Sequence, residues 1–202
     1  VDDTVNFQVY GNMEPQKAAT EAVRETEGQI LCQNGEAVEA YYFSTSAGVT
    51  STDEIWGSDE AAPYLRSVPC KFDEEEPWSS WIVELPWKML EDRIREKGEG
   101  TVLRSVTVTR RSESGAATAL EAVSDKDSCI IENEYEIRKF LAPVNCMITE
   151  KDGTETAGGS LLPSAYFELE RTQNGNLQVR GKGYGHGVGM SQTGADKMAE
   201  QG

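Results

Sequence analysis

The pattern of apolar and polar positions predicts more strand than helix along this chain. Residues 101–110 carry Val106 and Val108 two positions apart among polar neighbours, which is the period of a strand with one buried face. Residues 118–123 form a similar run, so we expect the two segments to pair as a hairpin. Three further strands are expected, near residues 144–149, 165–170 and 177–181.

A tight hairpin is predicted nearer the start of the chain. Residues 29–33 and 36–43 are strand-like runs that are separated only by Asn34 and Gly35. Asn-Gly between two strands favours a two-residue turn, because both central residues must adopt positive φ.

Four helices are expected from apolar spacing and from residues that begin or end helices. The first runs from an N-cap at Asn12 to about Glu27, where Gly28 favours a stop. Pro86 suits the first turn of the second helix, and Ser191 can cap the last helix through its hydroxyl. The second helix is expected to end near residue 98, the third to cover residues 134–141, and the last to end at residue 201.

The segments between these elements are polar. Residues 44–56 are rich in turn-forming and hydroxyl residues, so we expect a surface loop. The acidic run 73–76 is expected to be solvated. The whole pattern predicts one α+β domain over residues 1–202, mixed and strand-rich, with a few short helices.

Charge narrows the class of function. The chain has 35 acidic and 19 basic residues, which gives a formal net charge of −16. Because a nucleic-acid backbone requires clustered Lys and Arg, we expect no nucleic acid as a partner. The same deficit argues against an electrostatic hold on anionic lipid. A neutral polymer such as a glycan remains compatible with this charge.

The cysteines leave two interpretations open. Cys32, Cys70, Cys129 and Cys146 form no CxxC pair, so their spacing excludes a zinc ribbon. They are compatible with two disulfides in an exported protein, or with four unpaired thiols. No apolar run reaches the roughly 18 residues that a membrane-spanning helix requires.

A glycine-rich segment near the C-terminus carries the clearest chemical signal. Residues 181–189 hold five glycines, and the only histidine of the chain, His186, lies in the middle of them. Glycine permits positive φ and close approach of another backbone or a ligand. The segment matches neither phosphate-binding glycine motif. A lone histidine is more often structural than catalytic, and both roles stay open at this point.

Two blocks of this sequence are the most specific: residues 183–192, here called the glycine loop, and residues 44–48, here called the serine loop. They resemble blocks of the stage II sporulation protein D family, which includes the amidase enhancers. Other matching blocks follow the family order: residues 9–11, 22–31, 34–35, 56–57, 63–68 and 135–138. The resemblance covers nearly the whole chain.

The resemblance implies a peptidoglycan-acting protein outside the cytoplasm, in the cell wall or an intermembrane space, anchored through a segment upstream of Val1. Active members resemble lytic transglycosylases, which cleave the β-1,4 bond between N-acetylmuramic acid and N-acetylglucosamine in strands stripped of stem peptides. Their catalytic acid is a glutamate in a block that precedes the position of Val1, so no catalytic residue is expected in this fragment. Glu14 and Glu21 are expected to be solvated instead.

The resemblance leaves enzyme and binding module open. The alternative is a non-catalytic wall-binding module that activates a partner amidase. Glycan strands are the expected partner in both cases, with an amidase or another sporulation protein as a second partner. An intact Glu-Met-Pro block upstream of Val1 would favour the enzyme.

The resemblance also implies substrate contacts on both loops. The expected contacts are Ser44, Thr45, Ser46, Tyr184, His186, Ser191 and Gln192. Each has a purely structural alternative, and Ser191 competes as a helix cap. Since a linear glycan needs polar contacts along one strip, we expect the two loops to meet and to line one groove.

Phe43 marks a departure from the family pattern. It stands where the family often has a histidine, which in some relatives holds a metal together with nearby cysteines. The resemblance therefore implies no zinc and no other cofactor in this chain.

Overall fold

The computed structural model describes residues 14–58 and 60–201. Four α-helices lie in this part of the chain: α1 (Lys17–Glu25), α2 (Trp87–Glu96), α3 (Glu134–Phe140) and α4 (Gln192–Glu200). The strands are β1 (Cys32–Gln33), β2 (Glu36–Ala37), β3 (Tyr42–Phe43), β4 (Trp81–Leu85), β5 (Leu103–Arg111), β6 (Ala117–Ser124), β7 (Ser128–Glu132), β8 (Met147–Glu150), β9 (Glu155–Ala157), β10 (Phe167–Arg171), β11 (Leu177–Gly181) and β12 (Met190–Ser191). The prediction of a mixed, strand-rich α+β fold is confirmed.

The chain divides into two compact units, with the boundary between Val38 and Glu39. The described part of the first unit contains α1 and the β1–β2 hairpin. Asn34 and Gly35 have φ of 53° and 86°, which confirms the predicted Asn-Gly turn. Helix α1 begins at Lys17; the expected cap Asn12 and the block 9–11 lie outside the described residues.

The second unit contains two antiparallel sheets. One has five strands in the order β10-β11-β4-β8-β9, and the other has the order β5-β6-β7. The predicted β5–β6 hairpin is confirmed, with Val106 opposite Ala122. Strands β4, β7, β9 and β12 were not predicted.

One apolar core joins both sheets to α2 and α3. Its fully buried side chains include Trp81, Val83, Leu85, Leu90, Ile94, Leu120, Ile137, Leu141, Leu162 and Val179. Alternate residues of β4 face this core, whereas Ile82 between them is 38% exposed. Helix α2 ends before Gly98, which has a φ of 77°, and this confirms the predicted end near residue 98. Pro86 is the N-cap of α2, one position before the first turn in which it was predicted.

A smaller apolar cluster includes Val188 of the glycine loop and packs against Ala47 of the serine loop. It consists of Ile55, Leu65, Ala116, Ala165, Tyr166 and Val188. The segment that leads into Ile55 is consequently internal, with Thr45, Ser46, Thr50 and Ser51 all buried. The prediction of a surface loop over residues 44–56 is therefore wrong. The polar composition suggested exposure to solvent, but the polar side chains form hydrogen bonds inside the protein.

The structure decides between the two interpretations of the cysteines. All four cysteines are described, and all four are unpaired thiols. Among the described residues, no helix is both long and apolar enough to cross a membrane.

Candidate functional site

The serine loop and the glycine loop are in direct contact, as expected. Thr45 and Tyr184 exchange both backbone hydrogen bonds, with N–O distances of 3.1 and 2.8 Å. On one side of this bridge, β3 and β12 pair in parallel, so that Phe43 lies opposite Ser191. On the other side, the Ser51 N–H donates to the Gly187 carbonyl at 2.7 Å. Backbone pairing thus joins two segments that are about 140 residues apart in sequence.

Two glycines make this close approach possible. Gly183 has a φ of 76°, and a Cβ there would lie 2.8 Å from the Thr45 carbonyl oxygen. Gly189 has a φ of 81°, and a Cβ there would lie 2.1 Å from the Tyr41 carbonyl oxygen. Positive φ and lack of space therefore act together at both positions. The glycine run is required by backbone contact, independently of any ligand.

A buried carboxylate ties the two loops together. Asp73 is fully buried, so the prediction that the acidic run is solvated is wrong for this residue. Its Oδ1 accepts from the Ser46 hydroxyl at 2.7 Å, and its Oδ2 accepts from the Ser46 N–H at 2.8 Å. Oδ2 also accepts from the Ser191 hydroxyl at 2.6 Å. We call Asp73, Ser46 and Ser191 the clasp.

Asp73 is the nearest acceptor for both serine hydroxyls. A hydroxyl has one proton to donate, and the Asp73 contacts at 2.7 and 2.6 Å are shorter than the contacts of the same hydroxyls with backbone carbonyls at 3.4 and 3.2 Å. Each hydroxyl in turn accepts a backbone N–H, Ser46 from Gly48 and Ser191 from Gly194, both at 3.1 Å. The Ser191 bond confirms its predicted role as N-cap of α4. Ser46 and Ser191 thus hold the loops, and contact of either with a substrate stays a prediction.

His186 is held as a neutral ring among aromatic side chains. Its ring centroid lies 5.1 Å from that of Trp56 and 5.8 Å from that of Phe43. Burial, together with the positive charge of Arg138, lowers the pKa of His186 to about 4, against a smaller opposite effect of a hydrogen bond to the Tyr42 backbone. The Val188 N–H donates to Nδ1 at 3.1 Å, so the ring proton resides on Nε2.

The remaining predicted contacts differ in exposure. Tyr184 is 42% exposed, and its ring meets Trp78 edge to face at a centroid distance of 4.6 Å. Gln192 is exposed and Ser44 is half-buried. Thr45 is buried, and its hydroxyl lies 3.2 Å from that of Thr193. Among the seven predicted contacts, Tyr184 and Gln192 are therefore the exposed ones, and Ser44 is partly accessible.

The seven predicted contacts lie neither in a metal-binding cluster of the described residues nor in the surface pocket around Leu65. Within residues 14–58 and 60–201, no group of three or more His, Cys, Asp or Glu side chains is placed to hold a metal ion. A surface pocket of about 600 Å³ lies elsewhere, lined by residues that include Leu65, Arg66 and Ser114. None of the seven predicted contacts lines it, so a groove shared by both loops stays a prediction.

Comparison with known proteins identifies the family. The chain is 32% identical over 214 residues to stage II sporulation protein D of Bacillus amyloliquefaciens, and 31% identical over 215 residues to that of Bacillus subtilis (strain 168). It is 24% identical over 235 residues to the amidase enhancer of the latter organism. All three comparisons cover 100% of this chain. The chain belongs to the stage II sporulation protein D family.

The match to the stage II sporulation protein D family is partial in length. This chain covers 54% of each of the two sporulation proteins and 32% of the amidase enhancer, so it spans about half the length of the first two relatives. Residues 66–189, more than half of the chain, match the family model described as Domain of unknown function (DUF8618), to which the chain also belongs.

Proposed function

We propose that this chain is the glycan-binding part of an extracytoplasmic protein that acts on peptidoglycan. The observation that carries this proposal is the similarity to stage II sporulation protein D and to an amidase enhancer over the whole chain. The names of these relatives refer to sporulation and to the enhancement of an amidase. A net charge of −16 accords with a largely uncharged polymer as the partner.

The surface that we propose for the glycan is the exposed edge of the loop pair. Tyr184 offers an exposed ring that Trp78 supports from the side, and its backbone is fixed by two hydrogen bonds to Thr45. A rigid aromatic ring loses little conformational entropy on binding, and its flat face suits the C–H face of a pyranose. Ser44 and Gln192 would supply hydrogen bonds to sugar hydroxyls beside it.

His186 has a restricted role in this proposal. With its pKa lowered to about 4, the imidazole is neutral near pH 7 and cannot serve there as a general acid. Its Nδ1 already accepts the Val188 N–H. We propose that His186 shapes the glycine loop as a neutral ring, and that proton transfer in a full-length transglycosylase falls to the family glutamate in the block that precedes the position of Val1.

A second candidate function is activation of a separate cell-wall amidase. The specific observation in its favour is the similarity to an amidase enhancer across 100% of the chain. In this case the loop pair binds the glycan and thereby brings the amidase to its substrate, with no bond broken by this chain.

The proposal is tested by calorimetric titration of the chain with soluble glycan strands stripped of stem peptides. We expect Tyr184→Ala to weaken binding about tenfold, which corresponds to about 1.4 kcal/mol and is the size of an aromatic stacking contact. Tyr135→Ala is the matched control, because Tyr135 is also 42% exposed but lies on α3. Equal effects of the two substitutions would refute the proposed surface.

Two activity measurements follow: the first tests whether this chain cleaves glycan by itself, and the second separates the two candidate functions. We expect the chain alone to release no anhydromuramic product from these strands, as measured by mass spectrometry. We expect addition of the chain to increase the rate of a cell-wall amidase only if the activator function is correct. Release of anhydromuramic ends by the chain alone would show that an acid within these 202 residues suffices for cleavage.

A further inference from the structure

Asp73 is an unusual charge for the interior of this protein. It is fully buried, and no Lys or Arg among the described residues forms an ion pair with it. Removing a carboxylate from water is costly unless hydrogen bonds replace its hydration. Here the replacement comes from a backbone N–H, two serine hydroxyls and, at 3.7 Å, the Cys70 thiol.

These donors come from both loops. Ser46 belongs to the serine loop and lies 27 positions from Asp73 in sequence, whereas Ser191 belongs to the glycine loop and lies 118 positions away. Ser191 is also the N-cap of α4, so the carboxylate lies near the positive end of that helix dipole. Hydrogen bonds to an ionised acceptor are shorter and stronger than neutral ones.

We infer that Asp73 is a positioning residue of the proposed glycan-binding site. Its carboxylate holds Ser46 against Ser191, and thereby sets the spacing of the two loops that carry the surface around Tyr184. The identity of the ligand as a glycan rests on the proposed function. The positioning of the two loops by Asp73 does not depend on that function.

Only one or two residues separate the clasp from the accessible surface. Tyr184 forms backbone hydrogen bonds with Thr45, the residue directly before Ser46. Phe43, which lies opposite Ser191 in the β3–β12 pair, forms part of the aromatic surroundings of His186. Separation of Ser46 from Ser191 should therefore alter both the orientation of Tyr184 and the burial of His186.

The test uses Asp73→Asn, which keeps the shape of the side chain but turns one acceptor oxygen into a donor. The amide has no negative charge and only one acceptor oxygen, so it cannot replace the two carboxylate oxygens that the Ser46 N–H and the hydroxyls of Ser46 and Ser191 share. Glu150→Gln is the matched control: Glu150 is 8% exposed and accepts from the Thr156 hydroxyl, but it lies in the five-stranded sheet.

The readouts are glycan affinity and the pKa of His186, followed by NMR without ambiguity because the chain has one histidine. We expect Asp73→Asn to weaken glycan binding at least tenfold and to move the pKa of His186 from about 4 towards the ordinary value near 6.5. Glu150→Gln should leave both unchanged, even if it lowers the melting temperature.

The outcomes separate this inference from the proposed function. If Asp73→Asn leaves both the pKa of His186 and the glycan affinity at wild-type values, the inference is wrong. If the pKa moves but the wild-type chain does not bind glycan, Asp73 positions the loops and the proposed function fails. If Asp73→Asn does not fold, Ser46→Ala replaces it, since that variant removes one donor of the clasp and must shift the pKa of His186 in the same direction.

Discussion

The sheet core and the clasp are both buried, but they are held by different forces. The core consists of apolar side chains such as Leu85 and Leu120, which contribute through area removed from water. The clasp consists of Asp73, Ser46 and Ser191, which contribute through directed hydrogen bonds. Packing free energy varies gradually with volume, whereas a hydrogen-bond network fails when one donor or acceptor is lost. The core should therefore govern stability, and the clasp should govern the geometry of the loops.

The largest expected effect comes from the core. Leu85 is fully buried on β4, so Leu85→Ala should lower the free energy of unfolding by about 3–4 kcal/mol through lost packing and a residual cavity. Glycan affinity at a temperature where the variant is folded should stay unchanged. Denaturant unfolding and calorimetry measure the two quantities. Ile82→Ala on the opposite face of β4, where the side chain is 38% exposed, should cost far less; equal costs would contradict this assignment of the core face.

The next largest effect is expected from replacing a glycine of the loop contact by alanine, and it separates the cost of a close contact from the cost of a positive φ. Gly189 and Gly153 have similar φ, 81° and 87°, but a Cβ would meet the Tyr41 carbonyl oxygen at Gly189 and open space at Gly153. Gly153→Ala should cost about 1 kcal/mol for the left-handed conformation. Gly189→Ala should cost about 3 kcal/mol because the close contact adds strain, and it should also weaken glycan binding. Thermal unfolding of both variants provides the comparison, and equal melting temperatures would show that the loop contact is not tight.

The smallest expected effect is a dependence of stability on pH. The pKa of His186 is about 4 in the folded protein and near 6.5 in the unfolded chain, so protonation favours unfolding. The free energy of unfolding is therefore highest above pH 6.5 and falls as the pH drops towards 4. His186 should account for about 2 kcal/mol of loss between about pH 7 and pH 5. Denaturant unfolding of the wild type and of His186→Gln at several pH values measures this loss. The free energy of unfolding should fall more steeply with decreasing pH in the wild type than in the variant, and equal slopes would contradict the burial of His186.

Features governed by neighbouring residues were predictable from the sequence. The Asn34-Gly35 turn follows from the positive φ that both positions require. Ser191 caps α4 as expected from its hydroxyl and its place before a helix. The α+β class and the β5–β6 hairpin follow from apolar spacing. Each of these depends on local backbone conformation or on a short period, both of which the sequence contains directly.

The role of the polar segments was decided only by the tertiary structure. Asp73 stands at the start of an acidic run, and nothing in that run distinguishes it from the exposed Glu74 and Glu75. Its burial depends on donors 27 and 118 positions away, which no local pattern reveals.

The predictions were correct where a feature depends on nearby residues or a recognisable motif, and wrong where it depends on partners distant in sequence. The sequence determined the fold class, the turns, the helix caps and the family, because these depend on residue types at short or recognisable spacing. Only the tertiary structure decided that Ser46 and Ser191 face Asp73 while Tyr184 faces outward. A serine in a surface loop and a serine in a buried network look the same in the sequence. What distinguishes them is which partners the fold places within hydrogen-bonding distance.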